Sequence, residues 1–367
     1  MKLKIVNIID SFTGVNFGIW NAAISTANAL KNIYNVDSEL WFPEDGADPQ
    51  DINSIIQVPL KDISTKQVDS TVKRRNIKPA DTIVVTHGCW QFPTRWGAEL
   101  KKRGFKWIYV PHGMLEPWSM QQKKIKKTIY FNLIEHPLTK KADYVRAVGT
   151  PEFINLKKKY KNTVLIPNGI DITKTENTGK WDNTLNTINY LFLARLHHKK
   201  GIVPLVNAWI RSPQRNSKTA HLYIAGPDHG ELSKIKSIIK DNNCNNITYT
   251  GPVYGKEKQK LTDKCHIYLL PSHSEGFPTS VLEAMNNNLL SVITKGCNFP
   301  EALENNVAIK TTPETDEIIK TLTNLYNTPF NKLAETARKG TDFVKTNYSL
   351  EVIAQKQMEL YRKLLNH

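Results

Sequence analysis

Residues 267–285 read IYLLPSHSEGFPTSVLEAM. Four apolar residues, Ile267–Leu270, end at Pro271 and give way to a polar turn containing Gly276. Val281, Leu282, Ala284 and Met285 then recur at helical spacing. Pro278 stands at the expected helix start, where its missing N–H costs nothing. The stretch therefore reads as buried strand, turn and helix, the unit from which parallel sheets are built.

The same grammar runs through the whole chain. Candidate strands before it are KIVNI (4–8), SELWF (38–42), TIVVT (82–86), KWIYV (106–110), DYVRAV (143–148) and TVLI (163–166). After a polar stretch they resume with INYLFLA (188–194), AHLYIA (220–225), ITYT (247–250), IYLL (267–270) and LSVI (290–293). Helical patterns fill the gaps over 17–32, 116–140, 199–211, 254–264 and 279–288, and a last amphipathic segment covers 349–365. Residues 171–187, DITKTENTGKWDNTLNT, have almost no apolar periodicity and predict an inter-domain linker. The expected fold class is α/β, with two doubly wound parallel-sheet domains facing each other across a cleft. Ligands of such sheets bind outside the carboxyl ends of the strands.

Composition excludes several other classes. The 367 residues are 40% hydrophobic and 23% charged, which suits a folded globular chain. No apolar run approaches the roughly 20 residues of a membrane span. The N-terminal MKLKIVNIID is too quickly polar for a secretory signal and reads as a first buried strand. The four cysteines form no CxxC pair, so a disulfide framework is not expected and a reducing cytoplasm fits. No D-x-D and no His/Cys/Asp cluster has metal spacing, so no metal site and no cofactor is expected. A nicotinamide enzyme is disfavoured because no G-x-G-x-x-G follows a strand. The formal charge of +16 suits an anionic partner, although a lysine- and asparagine-rich coding bias would also raise it. No nucleic-acid recognition motif accompanies that charge, which leaves a basic, non-catalytic nucleotide- or nucleic-acid-binding protein as the reading of another class.

Two strand ends carry the chemistry. After YLFLA (190–194) come Arg195 and, five residues on, Lys200 and Gly201. A guanidinium fork and an ammonium point charge at a sheet edge suit a diphosphate; a solvated basic loop is the plainer alternative. After IYLLP comes the turn with Glu275, Gly276, Phe277 and Pro278, then Thr279, Ser280 and, one turn into the helix, Glu283. A helix start after a strand holds anions on its amides. Two carboxylates beside it would repel phosphate and suit sugar hydroxyls on either side of it. A surface cap with Glu283 near the helix N-terminus has the same spacing.

The pair ARLHHKKG (194–201) and SEGFPTSVLEAM (274–285) resembles the double signature of the family four retaining glycosyltransferases, which have the GT-B fold. Both spacings match, R-x(4)-K at Arg195 and Lys200 and E-x(7)-E at Glu275 and Glu283. IPNGID (166–171) resembles the family's end of the first domain, and GPVYGKEKQKL (251–261) its base-binding turn. The resemblance implies two Rossmann-like domains, 1–175 on the acceptor side and 176–347 on the donor side, with a C-terminal helix, 348–367, packing back on the first. It implies that Arg195 and Lys200 neutralise the diphosphate of a nucleotide-sugar and that Glu275 addresses the donor sugar. Glu283 would bind the ribose hydroxyls, residues 276–280 cradle phosphate and sugar, and Val253 lie near the base. It implies transfer with retention of configuration, without metal, and UDP as the nucleotide.

In the first half, KWIYV ends in PHGMLEPWSM (111–120), which places His112 at a strand terminus beside Gly113. The resemblance implies that His112 is the family's cleft histidine near the transferred sugar; a locally bonded loop histidine is the alternative. His87, in THGCW (86–90), has a similar position and ranks below it. Gly14 and Gly18, in DSFTGVNFGIW (10–20), could bring amides near phosphate or acceptor, although the family's tight double glycine is absent. QQKKIKKTIYFNLIEHPLTKK (121–141) mixes lysines and apolar residues at helical spacing. It suits either an anionic membrane surface or a core-facing helix with solvated lysines. The resemblance, including HGMLEPWSM, points to enzymes of bacterial surface-polysaccharide synthesis with a lipid-linked or oligosaccharide acceptor, at the inner face of the inner membrane. A soluble small-molecule or protein acceptor is the alternative.

Overall fold

The computed structural model describes residues 2–13, 17–47, 54–172, 179–181 and 187–366. The chain divides into two compact units, Met1–Asp171 with Tyr348–His367, and Ile172–Asn347. The boundary expected at 175–176, and most of the expected linker, lie outside the described residues.

The first unit holds β1 (Lys4–Ile8), β2 (Asp37–Pro43), β3 (Ile56–Leu60), β4 (Thr82–His87), β5 (Lys106–Val110), β6 (Tyr144–Ala147) and β7 (Thr163–Leu165). All its neighbouring strands pair in parallel, in the order β3-β2-β1-β4-β5-β6-β7. The second holds β8 (Ile188–Leu193), β9 (Ala220–Ala225), β10 (Ile247–Gly251), β11 (Ile267–Leu270), β12 (Leu290–Thr294) and β13 (Ala308–Thr311). These are also parallel, in the order β10-β9-β8-β11-β12-β13. Each sheet is doubly wound: its order reverses at the first strand, between β1 and β4 and between β8 and β11.

Burial follows from that position. Strands β4 and β11 are buried along their length, because helices cover both faces of a parallel sheet. Trp41, Trp96, Trp107 and Tyr109 fill the first core, and Tyr190, Trp209 and Tyr268 are fully buried in the second unit. The helix Leu350–Leu365 packs in the first unit against Ala27–Tyr34. Ser349 caps its start by accepting from the Val352 amide, and Thr26 Oγ1 donates to Gln357 Oε1 at 2.8 Å across the contact.

Several elements differ from the sequence reading. Strands β3 and β13 were not anticipated. Both are sheet edges with short, partly exposed runs, and IQVPL carries a proline that only an edge tolerates. The helix expected over 17–32 is two helices, Phe17–Ile24 and Ala27–Tyr34. The helix expected over 116–140 is broken into Pro117–Gln121, Lys124–Tyr130, a π-helical turn Phe131–Glu135 and His136–Thr139. Lys180 and Trp181, read as linker, are buried in the second unit. The Lys180 ammonium donates to Thr262 O (3.0 Å) and Asn287 O (2.7 Å), and Trp181 Nε1 donates to Asn288 O.

Candidate active site

The order of the second sheet reverses between β8 and β11, and the two motif-bearing loops follow those two strands. Leaving β8, Leu196 turns inward and is fully buried, while Arg195 stays exposed. His197 accepts from the Lys199 amide on Nδ1 (3.1 Å) and starts the short 3-10 turn His198–Lys200. Gly201 ends that turn with φ +69°, and a Cβ there would lie 2.2 Å from the Pro271 carbonyl oxygen. Only glycine lets the loop after β8 press against the end of β11. The His273 amide, donating to Lys199 O at 2.8 Å, fastens the same two loops together.

That approach brings Lys200 onto Glu275. The Lys200 Nζ donates to both carboxylate oxygens, at 2.6 and 2.7 Å, and the side chains are only 15% and 10% exposed. Ser272 Oγ donates to Oε1 at 2.6 Å. The Glu275 backbone is held as firmly: its amide donates to Gly296 O (2.7 Å) and its carbonyl accepts from Asn298 Nδ2 (2.6 Å). The carboxylate therefore sits in a fixed position at the end of β11. Beyond Gly276 and Phe277, whose ring packs edge-on to Phe299, the helix Thr279–Asn286 begins. Pro278 precedes its first residue, and its carbonyl accepts from the Val281 amide at 2.9 Å. Tyr268 Oη lies 2.9 Å from Ser280 Oγ and 3.0 Å from Leu193 O, tying the helix start to the end of β8.

Glu283, one turn into the helix, is half-buried and pairs with Lys258 Nζ at 2.7 Å. Lys258 belongs to the helix Gly255–Lys264, which follows Val253 and the exposed Tyr254 after β10. Sequence reading missed Lys258 and Tyr254; the signal available for both was their place in the turn-and-helix segment quoted for Val253. The second unit thus gathers Arg195, Lys200, Glu275, Glu283 and residues 276–280 around the ends of β8 and β11.

In the first unit, His87 ends β4 and His112 follows β5, the neighbouring strand. His87 Nδ1 and His112 Nε2 are 2.9 Å apart, and the rings stack with 5.2 Å between centroids. His87 Nε2 lies 3.0 Å from Asn7 Oδ1. Since that oxygen can only accept, His87 carries its proton on Nε2, its Nδ1 accepts from His112 Nε2–H, and His112 Nδ1 is left as an acceptor. His112 takes a left-handed backbone, φ 52°, and the next amide, Gly113, donates to Glu152 Oε1 at 2.6 Å. Glu152 also accepts from the Val148 amide, while burial raises its carboxyl to about 7. The buried Arg146 spends its guanidinium on Ile166 O and Pro167 O. Gly14 lies outside the described residues, and Gly18 falls in the helix Phe17–Ile24 with open space around it.

Burial, followed by the Arg146 charge, holds the His112 imidazole down at about 3 from its ordinary 6.5. Burial also keeps His87 well below its usual value. Between those limits the folded state binds fewer protons than the unfolded chain. The stability from a neutral His112 is therefore present above 6.5 and lost on acidification through that window. Glu152 works in the opposite sense between 4.5 and about 7. His112→Asn, which tolerates the left-handed backbone, should flatten the acid side of the stability curve by up to about 1.4 kcal/mol per pH unit. Urea unfolding across this range measures it; parallel curves for the two proteins would contradict the neutral histidine pair.

Comparison with known proteins bears on the fold. Residues 173–342, nearly all of the second unit, match the family model Glycosyl transferases group 1. The chain is similar to a phosphatidylinositol N-acetylglucosaminyltransferase subunit of Arabidopsis thaliana, 23% identical over 68% of this chain and 55% of that protein. It spans about half the length, or less, of the curated relatives it matches. Among solved structures, sucrose-phosphate synthase of Thermosynechococcus elongatus superposes with a TM-score of 0.77 at 16% identity, covering 100% of both chains. HepE of Anabaena, solved in complex with UDP and glucose, superposes with a TM-score of 0.74 at 17% identity over 98% of this chain and 100% of that one. The second unit is thus similar to the Glycosyl transferases group 1 domain, and the chain has the GT-B fold.

Proposed function

We propose that this chain is a retaining, metal-independent hexosyltransferase of the family four type. It moves a hexose or related sugar from a UDP-sugar to a lipid-linked glycan or oligosaccharide acceptor in surface-polysaccharide synthesis. The observation that carries this reading is the pairing of Lys200 with Glu275, next to the loop that carries Arg195, at the point where the second sheet's order reverses and beside a helix start. HepE, of the same fold, has been solved with UDP and glucose, which supports the choice of nucleotide. The plant relative is named for action on phosphatidylinositol, which supports a lipid acceptor.

In this reading Arg195 and the backbone from Phe277 to Ser280, at the positive end of the helix Thr279–Asn286, hold the diphosphate. An ammonium has three N–H bonds and Glu275 takes two from Lys200, so Lys200 has a third for a phosphate oxygen while remaining oriented. Glu275 accepts from hydroxyls of the donor sugar, Glu283 from those of the ribose, and the backbone at Val253 meets the base. His112 offers Nδ1 as an acceptor to a hydroxyl of the transferred sugar. The bond from the anomeric carbon to phosphate breaks as the acceptor oxygen bonds to that carbon on the same face. The departing phosphate oxygen takes the acceptor's proton, so no protein nucleophile is required. Fixed cations near the leaving oxygens stabilise the charge that develops there.

The reading is tested by incubating the protein with UDP-sugars and a polyprenyl-linked glycan in EDTA and assigning the product's anomeric configuration by NMR. The expected product keeps the donor's configuration. An inverted product, or turnover that appears only on adding Mg²⁺, would refute the proposed chemistry.

A further inference from the structure

The segment 121–141 faces the core on one side only. Its inner side is fixed by Phe131, Glu135 and Thr139, all buried. Glu135 accepts from Thr94 Oγ1 (2.8 Å), Tyr109 Oη (3.0 Å) and the Trp90 amide (3.2 Å), so it anchors the π-helical turn to the ends of β4 and β5. Lys127 is drawn in as well, donating to Ser119 O at 2.6 Å. What remains outside is four large aliphatic side chains: Ile125 at 77% exposure, Ile129 at 55%, Leu133 at 72% and Ile134 at 41%. No other stretch of ten described residues exposes so many. A rigidly anchored helix with such a face has buried what it can and presents the rest outward.

The charges around that face choose its partner. Lys123, Lys124, Lys126, Lys140 and Lys141 are exposed, and the one carboxylate of the segment, Glu135, is buried. The outer side is therefore aliphatic and purely cationic. A second copy docked here would set lysines against lysines on chains each carrying +16. A nucleic acid would meet the lysines but offer nothing to four aliphatic side chains. An anionic bilayer satisfies both, with apolar groups at the acyl boundary and ammoniums at headgroup phosphates. No described helix is long and apolar enough to cross a membrane, so such contact would be peripheral.

We propose that the face formed by Ile125, Ile129, Leu133 and Ile134, with its flanking lysines, docks this protein on an anionic lipid bilayer. Docking would bring the chain to the surface where a lipid-linked acceptor lies. That use rests on the proposed transferase reading, but the binding itself does not.

The full chain is sedimented with vesicles of phosphatidylcholine alone or mixed with phosphatidylglycerol, at low and high salt. The expected result is binding to the anionic vesicles that weakens with salt and is much poorer on neutral ones. Ile125→Ser/Ile129→Ser/Leu133→Ser, all at exposed positions, should lower that binding by at least about tenfold. Each lysine of the rim changed to glutamine should lower it roughly fivefold. Circular dichroism and UDP affinity should stay unchanged in every variant, separating this surface from the donor site. Undiminished binding by the triple variant, equal binding to neutral vesicles, or no vesicle binding would overturn the proposal. A concentration-dependent dimer abolished by the triple variant, without vesicle binding, would assign the face to self-association instead.

Discussion

Glu275→Ala is expected to lower turnover by at least about a hundredfold and to cost the second unit about 3 kcal/mol. The two losses have different causes. The first is the removal of a carboxylate proposed to hold the donor sugar. The second follows from leaving Lys200, whose side chain is 15% exposed, with its charge unpaired. Adding Lys200→Met removes that stranded charge, so the double variant should regain most of the stability and none of the turnover. Urea unfolding and initial rates on the four proteins of this cycle measure both effects. If Glu275→Ala were as stable as the parent, the buried ion pair would not be what organises the two loops. If it kept full turnover, Glu275 would have no role toward the sugar.

Gly201→Ala should be nearly as damaging although it removes no functional group. The new Cβ would lie 2.2 Å from a backbone oxygen, at Pro271, and the residue would have to keep φ at +69°. Backbone cannot yield as a flexible side chain does, so the loop after β8 must back away from β11. We expect a loss of at least about 3 kcal/mol and a fall in UDP affinity of about tenfold or more, because Lys200 moves with the loop. Gly230→Ala is the control. It also has a positive φ, +101°, but open space around it, and should cost only about 1 kcal/mol with UDP affinity unchanged. Equal behaviour of the two variants would mean that the close approach at Gly201 has no energetic weight.

Much of this was legible in the sequence because strand ends are legible. Apolar runs ending in Pro271 and in Ala194 place their following loops on one sheet edge, and the spacings within SEGFPTSVLEAM and ARLHHKKG do the rest. The pairing of the loops was not legible. Lys200 and Glu275 are 75 residues apart, and nothing local says that the ammonium meant for phosphate is held by the carboxylate meant for sugar. The same holds for Lys258 and Glu283. In the first unit the reading ranked His87 below His112, since each ends a strand by itself; the order of the sheet makes them partners on adjacent strands, oriented from Asn7 on a third. Periodicity left 121–141 open between a membrane surface and a core-facing helix. It says that apolar residues share a side of a helix but not that the side faces the core. Here Phe131, Glu135 and Thr139 turned inward, while Ile125, Ile129 and Leu133 stayed outside.

The central claim is that the ends of β8 and β11 form a nucleotide-diphosphate site that works without metal. Calorimetric titration of UDP, GDP, ADP and TDP into the purified protein, with EDTA present, tests it most directly. The account predicts saturable binding, strongest for UDP and lost in the Arg195→Ala/Lys200→Ala variant. Binding of none of the four by the parent protein, or affinity undiminished in that variant, would contradict it.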